Sequence, residues 1–295
     1  MRATLIMTAM FTAAVAVHAR AAEPAAQVRP NSYGHHLIET ELARHPNVVV
    51  MAMHATPPGS KTNVIVASNI GRLGKAADAD DLQVTTSGQA KLSVNAAGDH
   101  FEALEPLKDL DGQVIGALGV VFRYKAGDDK AKDVAEAEAI RDRLSHKISH
   151  AGNLLDPWPY DPKFTARTYA QVLVDQTMAT HPEIRILAIH ATPPGGKTNV
   201  ILGSNIGRIG KAADEDDLRV IEKGETNREV NDTGRRFEAE LPLNDSKGHR
   251  IGALGVVLGY HAGQDKEALV RHAEKIRDEL AAKIASPAAL ARKAG

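Results

Sequence analysis

The strongest constraint on the fold is an internal repeat at a constant offset of 136 residues. The segment His54-Ala-Thr-Pro-Pro-Gly59 recurs at 190–195, and Ser68-Asn-Ile-Gly-Arg72 recurs at 204–208. Residues 33–150 (repeat 1) align without a gap with residues 169–286 (repeat 2), and 63 of the 118 positions are identical. Solenoid units are only about 20–50 residues long and occur in three or more copies. The sequence therefore predicts two copies of a complete domain.

The segments outside the repeats predict an exported chain. Arg2, the apolar run 5–17 and Ala19-Arg20-Ala21 form the pattern of a cleaved signal peptide over residues 1–22. The run is too short to cross a bilayer and no later segment is long enough, so we predict a periplasmic or secreted protein without a transmembrane segment. The predicted domains are 31–150 and 164–286, joined by a proline-rich connector, 151–163, and followed by a tail, 287–295.

Composition excludes several functional classes. Lys plus Arg is 36 and Asp plus Glu is 37, so the formal net charge of −1 provides no field that would hold the chain on nucleic acid. There is no Cys, which excludes disulfide scaffolds, thiolate metal sites and thiol nucleophiles. The remaining classes are binding proteins, interaction modules and enzymes that use oxygen or nitrogen groups.

Each repeat has the pattern of an α+β domain, a five-stranded antiparallel sheet with flanking helices. Asn31 or Ser32 can cap a first helix that stops at His45-Pro46, and a second helix is bounded by Asp78 and Gly88. Asp80 and Asp81 then lie in a first helical turn, where acidic side chains favour the helix dipole. The predicted strands are 48–55, 62–68, 90–94, 101–106 and 114–124, and a long amphipathic helix covers 128–149.

A first strand that ends in His54 and three later segments of repeat 1 carry a family resemblance. The segments are 69–75 (Asn-Ile-Gly-Arg-Leu-Gly-Lys), 104–107 (Leu-Glu-Pro-Leu) and 111–121, which ends Ile-Gly-Ala-Leu-Gly-Val-Val. The chain resembles the PAS-like extracellular sensor domains of the Cache type, duplicated in tandem. This resemblance implies a pocket between sheet and helices that binds a small metabolite. It also makes a membrane receptor a candidate partner, because such domains usually belong to receptors.

Polar side chains repeated around the second strand are the candidate ligand-binding residues. His54 and His190 end a predicted buried strand and can point inward, and the Arg and Lys residues suit an anionic ligand such as a carboxylate. A structural role for the two histidines stays open. The candidates are His54, Lys61, Asn63, Asn69, Arg72 and Lys75, with their copies His190, Lys197, Asn199, Asn205, Arg208 and Lys211.

Motifs for other chemistry are incomplete. Gly196-Lys197-Thr198 resembles the end of a phosphate-binding loop, but Ala191 stands where that loop needs its first Gly. The G-x-x-G segments 71–74 and 207–210 follow strands, unlike the nucleic-acid loop of that form, which joins two helices. No local spacing of His and acidic residues matches a metal motif, and no Ser lies in a nucleophile elbow.

The sequence thus predicts a sensor or binding protein for a small molecule, with no catalytic residue, metal ligand or cofactor. Two alternatives stay open. One is a structural or interaction module whose pockets are filled by side chains, and the other is a secreted hydrolase.

Overall fold

The computed structural model describes residues 28–294, so the predicted signal peptide lies outside the described residues. Each repeat forms one five-stranded antiparallel sheet with flanking helices, which confirms the predicted α+β class. The elements of repeat 1 are α1 (Tyr33–Leu42), β1 (Val48–Ala55), β2 (Val64–Ser68), α2 (Ala79–Ser87), β3 (Lys91–Val94), β4 (His100–Lys108), β5 (Val114–Arg123) and α3 (Lys130–Ser145).

Repeat 2 has the same elements in the same order, followed by one short C-terminal helix. They are α4 (Tyr169–Thr180), β6 (Ile184–Ala191), β7 (Val200–Ser204), α5 (Glu215–Lys223), β8 (Asn227–Val230), β9 (Arg236–Asn244), β10 (Arg250–Gly259), α6 (Lys266–Ala281) and α7 (Pro287–Leu290). No helix between residues 28 and 294 combines the length and the apolar character that crossing a membrane requires.

The strand order is β2-β1-β5-β4-β3 in repeat 1 and β7-β6-β10-β9-β8 in repeat 2. The long final strand of each repeat therefore lies at the centre of its sheet, between the first strand and the fourth. In repeat 2, His190 of β6 is opposite Ala253 of β10, and Glu240 of β9 is opposite Gly255 of β10. Side chains from β6 and β9 can therefore approach each other across two small residues of the central strand.

The two faces of each sheet have different environments. In repeat 1, α1 and α3 cover one face, where Ile38, Met51, Phe122 and Ile140 are part of a large apolar core. The other face is covered by α2 alone, where Val84, Leu104 and Ala117 form a much smaller cluster. The candidate site lies on this second face, which has the less complete apolar cover.

Paired carboxylates determine where α2 and α5 begin. Asp78 is the N-cap of α2, and its side chain accepts hydrogen bonds from the amides of Asp80 and Asp81. Asp214 and Asp217 form the same reciprocal capping box in α5. Gly88 and Gly224 end these helices with φ of 67° and 76°, where glycine avoids the steric cost of a Cβ. The helix predicted between Asp78 and Gly88 is confirmed.

Several element bounds differ from the sequence prediction by one to four residues: the first helix ends at Leu42, β4 covers His100–Lys108, and the last helix of repeat 1 begins at Lys130. The second strand begins at Val64 rather than Thr62, because residues 60–62 form a turn in which Ser60 Oγ accepts from Thr62 N. The last helix of repeat 1 ends at Ser145 rather than Ser149. There the chain turns and buries Ile148. The carbonyl of Ile148 accepts a hydrogen bond from Leu110 N, and this bond joins the end of the helix to the β4–β5 turn.

The connector and the tail each contribute a buried leucine to the core of the repeat that precedes them. Residues 151–155 form a 3-10 helix whose Leu154 is fully buried in the core of repeat 1. At the offset of 136 residues, α7 inserts Leu290 into the core of repeat 2. The first part of the connector therefore completes repeat 1, and a second 3-10 turn at Pro162–Phe164 precedes repeat 2.

The repeats contact each other through a polar interface. Arg236 at the start of β9 donates to Asp111 Oδ2 in the β4–β5 turn at 2.7 Å and to the carbonyl of Ser149 at 2.8 Å. The hydroxyl of Tyr33 donates to the carbonyl of Asn205 at 3.3 Å. The side chains of Arg236 and Asp111 are only 12% and 8% exposed, so this ion pair is largely withdrawn from water.

Candidate functional site

A polar cavity of about 200 Å³ lies between the sheet of repeat 2 and helix α5. All five strands of the sheet contribute residues to its lining, and the chain after β7 forms one wall. Acidic side chains dominate the lining. The charged residues and the histidine among them are His190, Arg208, Lys211, Asp214, Asp216, Asp217, Glu229, Glu238 and Glu240.

Three of these side chains converge in the cavity from three different elements. His190 is near the end of β6, Asp217 is in the first turn of α5, and Glu240 is in β9. One ligand atom from each lies within 4.8 Å of the others, and His190 Nδ1 is 3.5 Å from Asp217 Oδ2. His190 is 6% exposed and Glu240 is 5% exposed.

Two polar atoms of this cluster have no hydrogen-bond partner: His190 Nδ1 and Glu240 Oε1. A buried polar atom without a partner costs about 1–3 kcal/mol. Most such groups in folded proteins are paired with protein or water, so each exception needs an explanation. Two of them facing the same cavity indicate a group that both can bind.

Burial controls protonation in the cluster. It raises the pKa of Glu240 to about 10, assisted by the hydrogen bond and the negative charge of Asp217. Burial also lowers the pKa of His190, so its imidazole is neutral at pH 7. Burial acts against ionisation of Asp217, but the hydrogen bond with Glu240 and the nearby His190 bring the pKa of Asp217 below its ordinary value. Without a cation, the two carboxyl groups therefore hold one proton between them.

Repeat 1 has two members of this cluster but not the third. His54 Nδ1 is 3.2 Å from Asp81 Oδ2, as in the pair of repeat 2. Leu104 occupies the position of Glu240, and the carboxylate of repeat 1 is one residue later, at Glu105. Successive side chains of a strand point to opposite faces, so Glu105 lies under α3, where Arg141 Nη1 donates to it at 2.6 Å. A one-residue exchange therefore moves a carboxylate from one face of the sheet to the other.

The predicted candidates in and around the β2 and β7 segments separate into cavity and surface groups. His190, Arg208 and Lys211 line the cavity of repeat 2. Lys61 and Lys197 are exposed in the turns that precede β2 and β7. Their neighbours Asn63 and Asn199 are buried, and neither side chain is among those that line the cavity.

Asn69 and Asn205 hold the ends of β2 and β7 against the neighbouring strands. Asn69 Oδ1 accepts from Met51 N at 2.9 Å, and its Nδ2 donates to Val49 O at 3.0 Å. Asn205 makes the equivalent pair of bonds with Leu187 N and Arg185 O, both at 2.9 Å. Their amides satisfy backbone groups that the strand pairing leaves free, which accounts for their presence in both repeats.

Arg72 and Arg208 occupy different environments. Arg72 and its neighbour Lys75 are exposed, whereas Arg208 is half-buried and its Nε donates to Asp156 Oδ2 in the connector at 3.3 Å. Both arginines adopt a positive φ, of 62° and 64°. In repeat 2, the segment that carries Arg208 contributes to the contact between the repeats.

Glu240 was not among the predicted site residues, and Asp81, the counterpart of Asp217, was predicted only to favour the helix dipole from a first helical turn. Asp217 does cap α5, through the hydrogen bond that Asp214 N donates to Asp217 Oδ2, and it also faces His190. The sequence does contain one indication of Glu240: the order Leu104-Glu105 in a predicted strand of repeat 1 is reversed to Glu240-Leu241 in repeat 2.

A second cavity of about 310 Å³ lies between the repeats, bordered by Tyr33, His36, Trp158, Arg167 and Asp175, among others. Its polar lining is largely engaged within the protein. The Tyr33 hydroxyl donates to backbone carbonyls, and Arg167 pairs with Asp175 at 2.6 Å. The rings of His36 and Trp158 are stacked with centroids 4.1 Å apart. None of its lining residues carries one of the buried, unpartnered polar atoms found among the described residues.

The chain matches no protein-family model and no curated protein. Solved structures with weak similarity include the complex of DhaR(N) with DhaL from E. coli, at 13% identity and a TM-score of 0.28, covering 78% of this chain and 85% of that one. PelD 158-CT from Pseudomonas aeruginosa PAO1 has 17% identity and a TM-score of 0.25, with 83% and 75% covered. An RNA-binding Light-Oxygen-Voltage receptor has 10% identity and a TM-score of 0.22, with 78% and 98% covered. Similarities of this size do not establish a function.

Proposed function

We propose that the chain is an exported, tandem Cache-like binding or sensor protein that holds a small ligand in the cavity of repeat 2 and performs no chemistry. The observation that carries the proposal is the pair of buried, unpartnered atoms, His190 Nδ1 and Glu240 Oε1, that face a polar cavity. The two five-stranded antiparallel sheets with flanking helices are consistent with PAS-like units. The volume of about 200 Å³ is below the usual range of drug-sized sites, so the ligand is small.

The charge of the lining favours a ligand with a positive group. Asp214, Asp216, Asp217, Glu229, Glu238 and Glu240 are acidic, whereas Arg208 and Lys211 are the basic residues of the lining. Arg208 already has Asp156 as a partner, which leaves less of its charge for an anion. An anionic ligand, predicted from the repeated Arg and Lys side chains, is the competing charge class. A carboxylate in this cavity would face six acidic side chains and two basic ones.

Binding fits the cavity better than catalysis. Ser204 is the hydroxyl residue of the lining, and its Oγ accepts a hydrogen bond from Ile206 N. His190, the candidate base, faces the carboxylate of Asp217. A hydrolase would instead need the base to take a proton from the nucleophile. For repeat 1, where Leu104 replaces Glu240, the alternative of an interaction module with a filled pocket is favoured.

A cavity-filling variant with a matched control tests where ligands bind. Ala188 lines the cavity of repeat 2, and Ala52 is its equivalent in repeat 1. The mature protein is heated with diamines, quaternary amines and dicarboxylates. A ligand that binds only the folded state at 100 times its Kd adds about 2.7 kcal/mol of stability. We expect amines to raise the melting temperature of the wild type and of Ala52→Leu, but not that of Ala188→Leu.

Two results would overturn parts of this proposal. Stabilisation by dicarboxylates that is lost in Arg208→Ala would support the anionic class instead of the cationic one. Turnover of a chromogenic ester that is lost in Ser204→Ala would support a hydrolase. Processing after residue 22 in an exporting bacterium, read by mass spectrometry of the N-terminus, tests the proposed signal peptide.

A further inference from the structure

The buried cluster in repeat 2 has the composition of a metal site rather than of a general cation pocket. We propose that His190, Asp217 and Glu240 together bind one divalent transition-metal ion. This inference rests on the proposed function, because it names the ligand class of the same cavity. It departs from the sequence prediction of no metal ligand, which considered local spacing only, whereas these three residues come from β6, α5 and β9.

The distances suit a small ion. Ligand atoms about 2.0–2.2 Å from a tetrahedral ion are about 3.4 Å from one another. His190 Nδ1 and Asp217 Oδ2 are 3.5 Å apart, and all three ligand atoms lie within 4.8 Å of one another. His190 Nδ1 and Glu240 Oε1 have no hydrogen-bond partner, so both are free to act as ligands.

The charges of the three side chains also suit a divalent ion. A neutral imidazole and two carboxylates carry a total charge of −2, which a divalent ion neutralises. Unpaired buried charge is expensive, so a divalent ion held by these three side chains would compensate the charge of the two buried carboxylates. One nitrogen and two oxygen donors favour Zn²⁺, Mn²⁺ or Fe²⁺ over Ca²⁺ and Mg²⁺, which prefer oxygen alone. Three protein ligands leave a coordination position for water or a ligand atom.

A second set of metal-type side chains, His181, Glu183 and His272, lies on the surface of repeat 2. Glu183 Oε1 is already hydrogen-bonded to His181 and to His272, at 3.3 and 2.7 Å. All three side chains are partly exposed, so they have water as an alternative partner. This cluster lacks the unpartnered buried atoms of the first, and it serves as a control in the experiment below.

The chain itself provides the reciprocal variants. Glu240→Leu/Leu241→Glu gives repeat 2 the residue order found in repeat 1. Arg277 is the counterpart of Arg141, which pairs with Glu105 in repeat 1, so Arg277 can pair with the moved carboxylate in repeat 2. Leu104→Glu/Glu105→Leu places a carboxylate beside His54 and Asp81 in repeat 1. Each double substitution keeps the composition of the strand, and each copies the arrangement found in the equivalent sheet of the other repeat.

The experiment is metal binding by the mature protein after EDTA treatment and dialysis, using ZnCl₂, MnCl₂ and CoCl₂. Isothermal titration gives affinity, native mass spectrometry gives stoichiometry, and the visible spectrum of bound Co²⁺ reports its geometry. We expect one buried ion per wild-type chain and unchanged binding in His272→Gln. Loss of a residue that hydrogen-bonds to a metal ligand typically costs about 10–100-fold in affinity, so loss of a direct ligand in the repeat 2 exchange should exceed that. The repeat 1 exchange should add a second ion.

Wild-type affinity in the repeat 2 exchange, or loss of all binding in His272→Gln, would overturn the proposal. If the exchange variant is unfolded by circular dichroism, His190→Gln provides the same test with a single side chain. A third outcome is that amines raise the melting temperature of the wild type but not of Ala188→Leu, while no metal binds. This outcome would refute the metal site and leave the proposed function standing. Absence of both responses would refute both.

Discussion

Truncation of Asp111 to Ala tests whether the two repeats are thermodynamically coupled through their polar interface. Asp111 accepts from Arg236 Nε at 2.7 Å, and the exposed fractions of the two side chains are 8% and 12%. Two unit charges about 4 Å apart attract with about 4 kcal/mol at an effective dielectric constant of 20. Removing one partner of a buried pair costs about 3–5 kcal/mol, because the other charge is left uncompensated. Arg236 keeps its bond to Ser149 O, so we expect the low end, about 3 kcal/mol.

The assay is thermal unfolding of the mature chain by circular dichroism. For proteins at the large end of the usual domain range, about 150–250 residues, 1 kcal/mol corresponds to about 2–4 °C, so Asp111→Ala should lower the melting temperature by about 6–12 °C. Lys247→Ala is the matched control, because Lys247 occupies the position of Asp111 in repeat 2 and is exposed. It should change stability by less than about 0.5 kcal/mol.

A double-mutant cycle with Arg236→Ala isolates the pair. Close charge pairs measured in this way couple by about 1.5–7 kcal/mol, so the double mutant should be less unstable than the sum of the two single mutants. A melting temperature for Asp111→Ala equal to that of Lys247→Ala would refute the reasoning. It would mean that the ion pair behaves as an exposed one, worth about 1 kcal/mol or less.

Three further predictions follow from local contacts. Arg208→Ala should destabilise the chain by about 1.5 kcal/mol, since a charged hydrogen bond is lost, whereas Arg72→Ala should stay within about 0.5 kcal/mol; denaturant titration compares them. Burial, followed by the nearby arginine charge, lowers the pKa of His150 below its ordinary value of about 6.5, so stability should fall as the pH drops below 6.5. Between pH 7.5 and pH 5.5 the melting temperature should therefore fall more in the wild type than in His150→Gln. Equal slopes of melting temperature against pH would contradict this. Gly252→Ala should destabilise by at least about 1–3 kcal/mol, because a Cβ there would lie 1.8 Å from His190 O; a melting temperature equal to that of the wild type would argue against the close approach.

The architecture could be predicted because the repeat, the strand patterns and the caps agree with one another. The first strand, Val48–Ala55, has the predicted bounds, since a continuous apolar run between Pro46 and Pro57 leaves little freedom. Ser32 caps α1, as one of the two predicted caps. The contacts between the repeats could not be predicted, because Asp111 and Arg236 belong to different copies and have no charge-complementary equivalents at Lys247 and His100.

The site was harder to predict because the predicted ligand-binding residues were polar side chains that both repeats share. Asn69 and Asn205 are identical for an architectural reason, since their amides pair with the backbone of the first strand. Glu240 is unlike its counterpart Leu104, and this difference makes the His190 cluster of repeat 2 chemically unlike the His54–Asp81 pair of repeat 1. In a strand, a shift of one residue reverses the face on which a side chain lies. Differences between copies were therefore as informative about the site as identities.

Anomalous diffraction from crystals of the mature protein grown with Zn²⁺ is the most direct test of the difference between the His190 cluster and the His54–Asp81 pair. Data recorded at the zinc absorption edge should give one peak in the cavity of repeat 2, about 2.0–2.2 Å from His190 Nδ1 and from a carboxylate oxygen of Asp217 and of Glu240. The equivalent space beside His54 and Asp81 should give none. A peak confined to the surface cluster of His181 and His272, or equal peaks beside His54 and His190, would contradict the account.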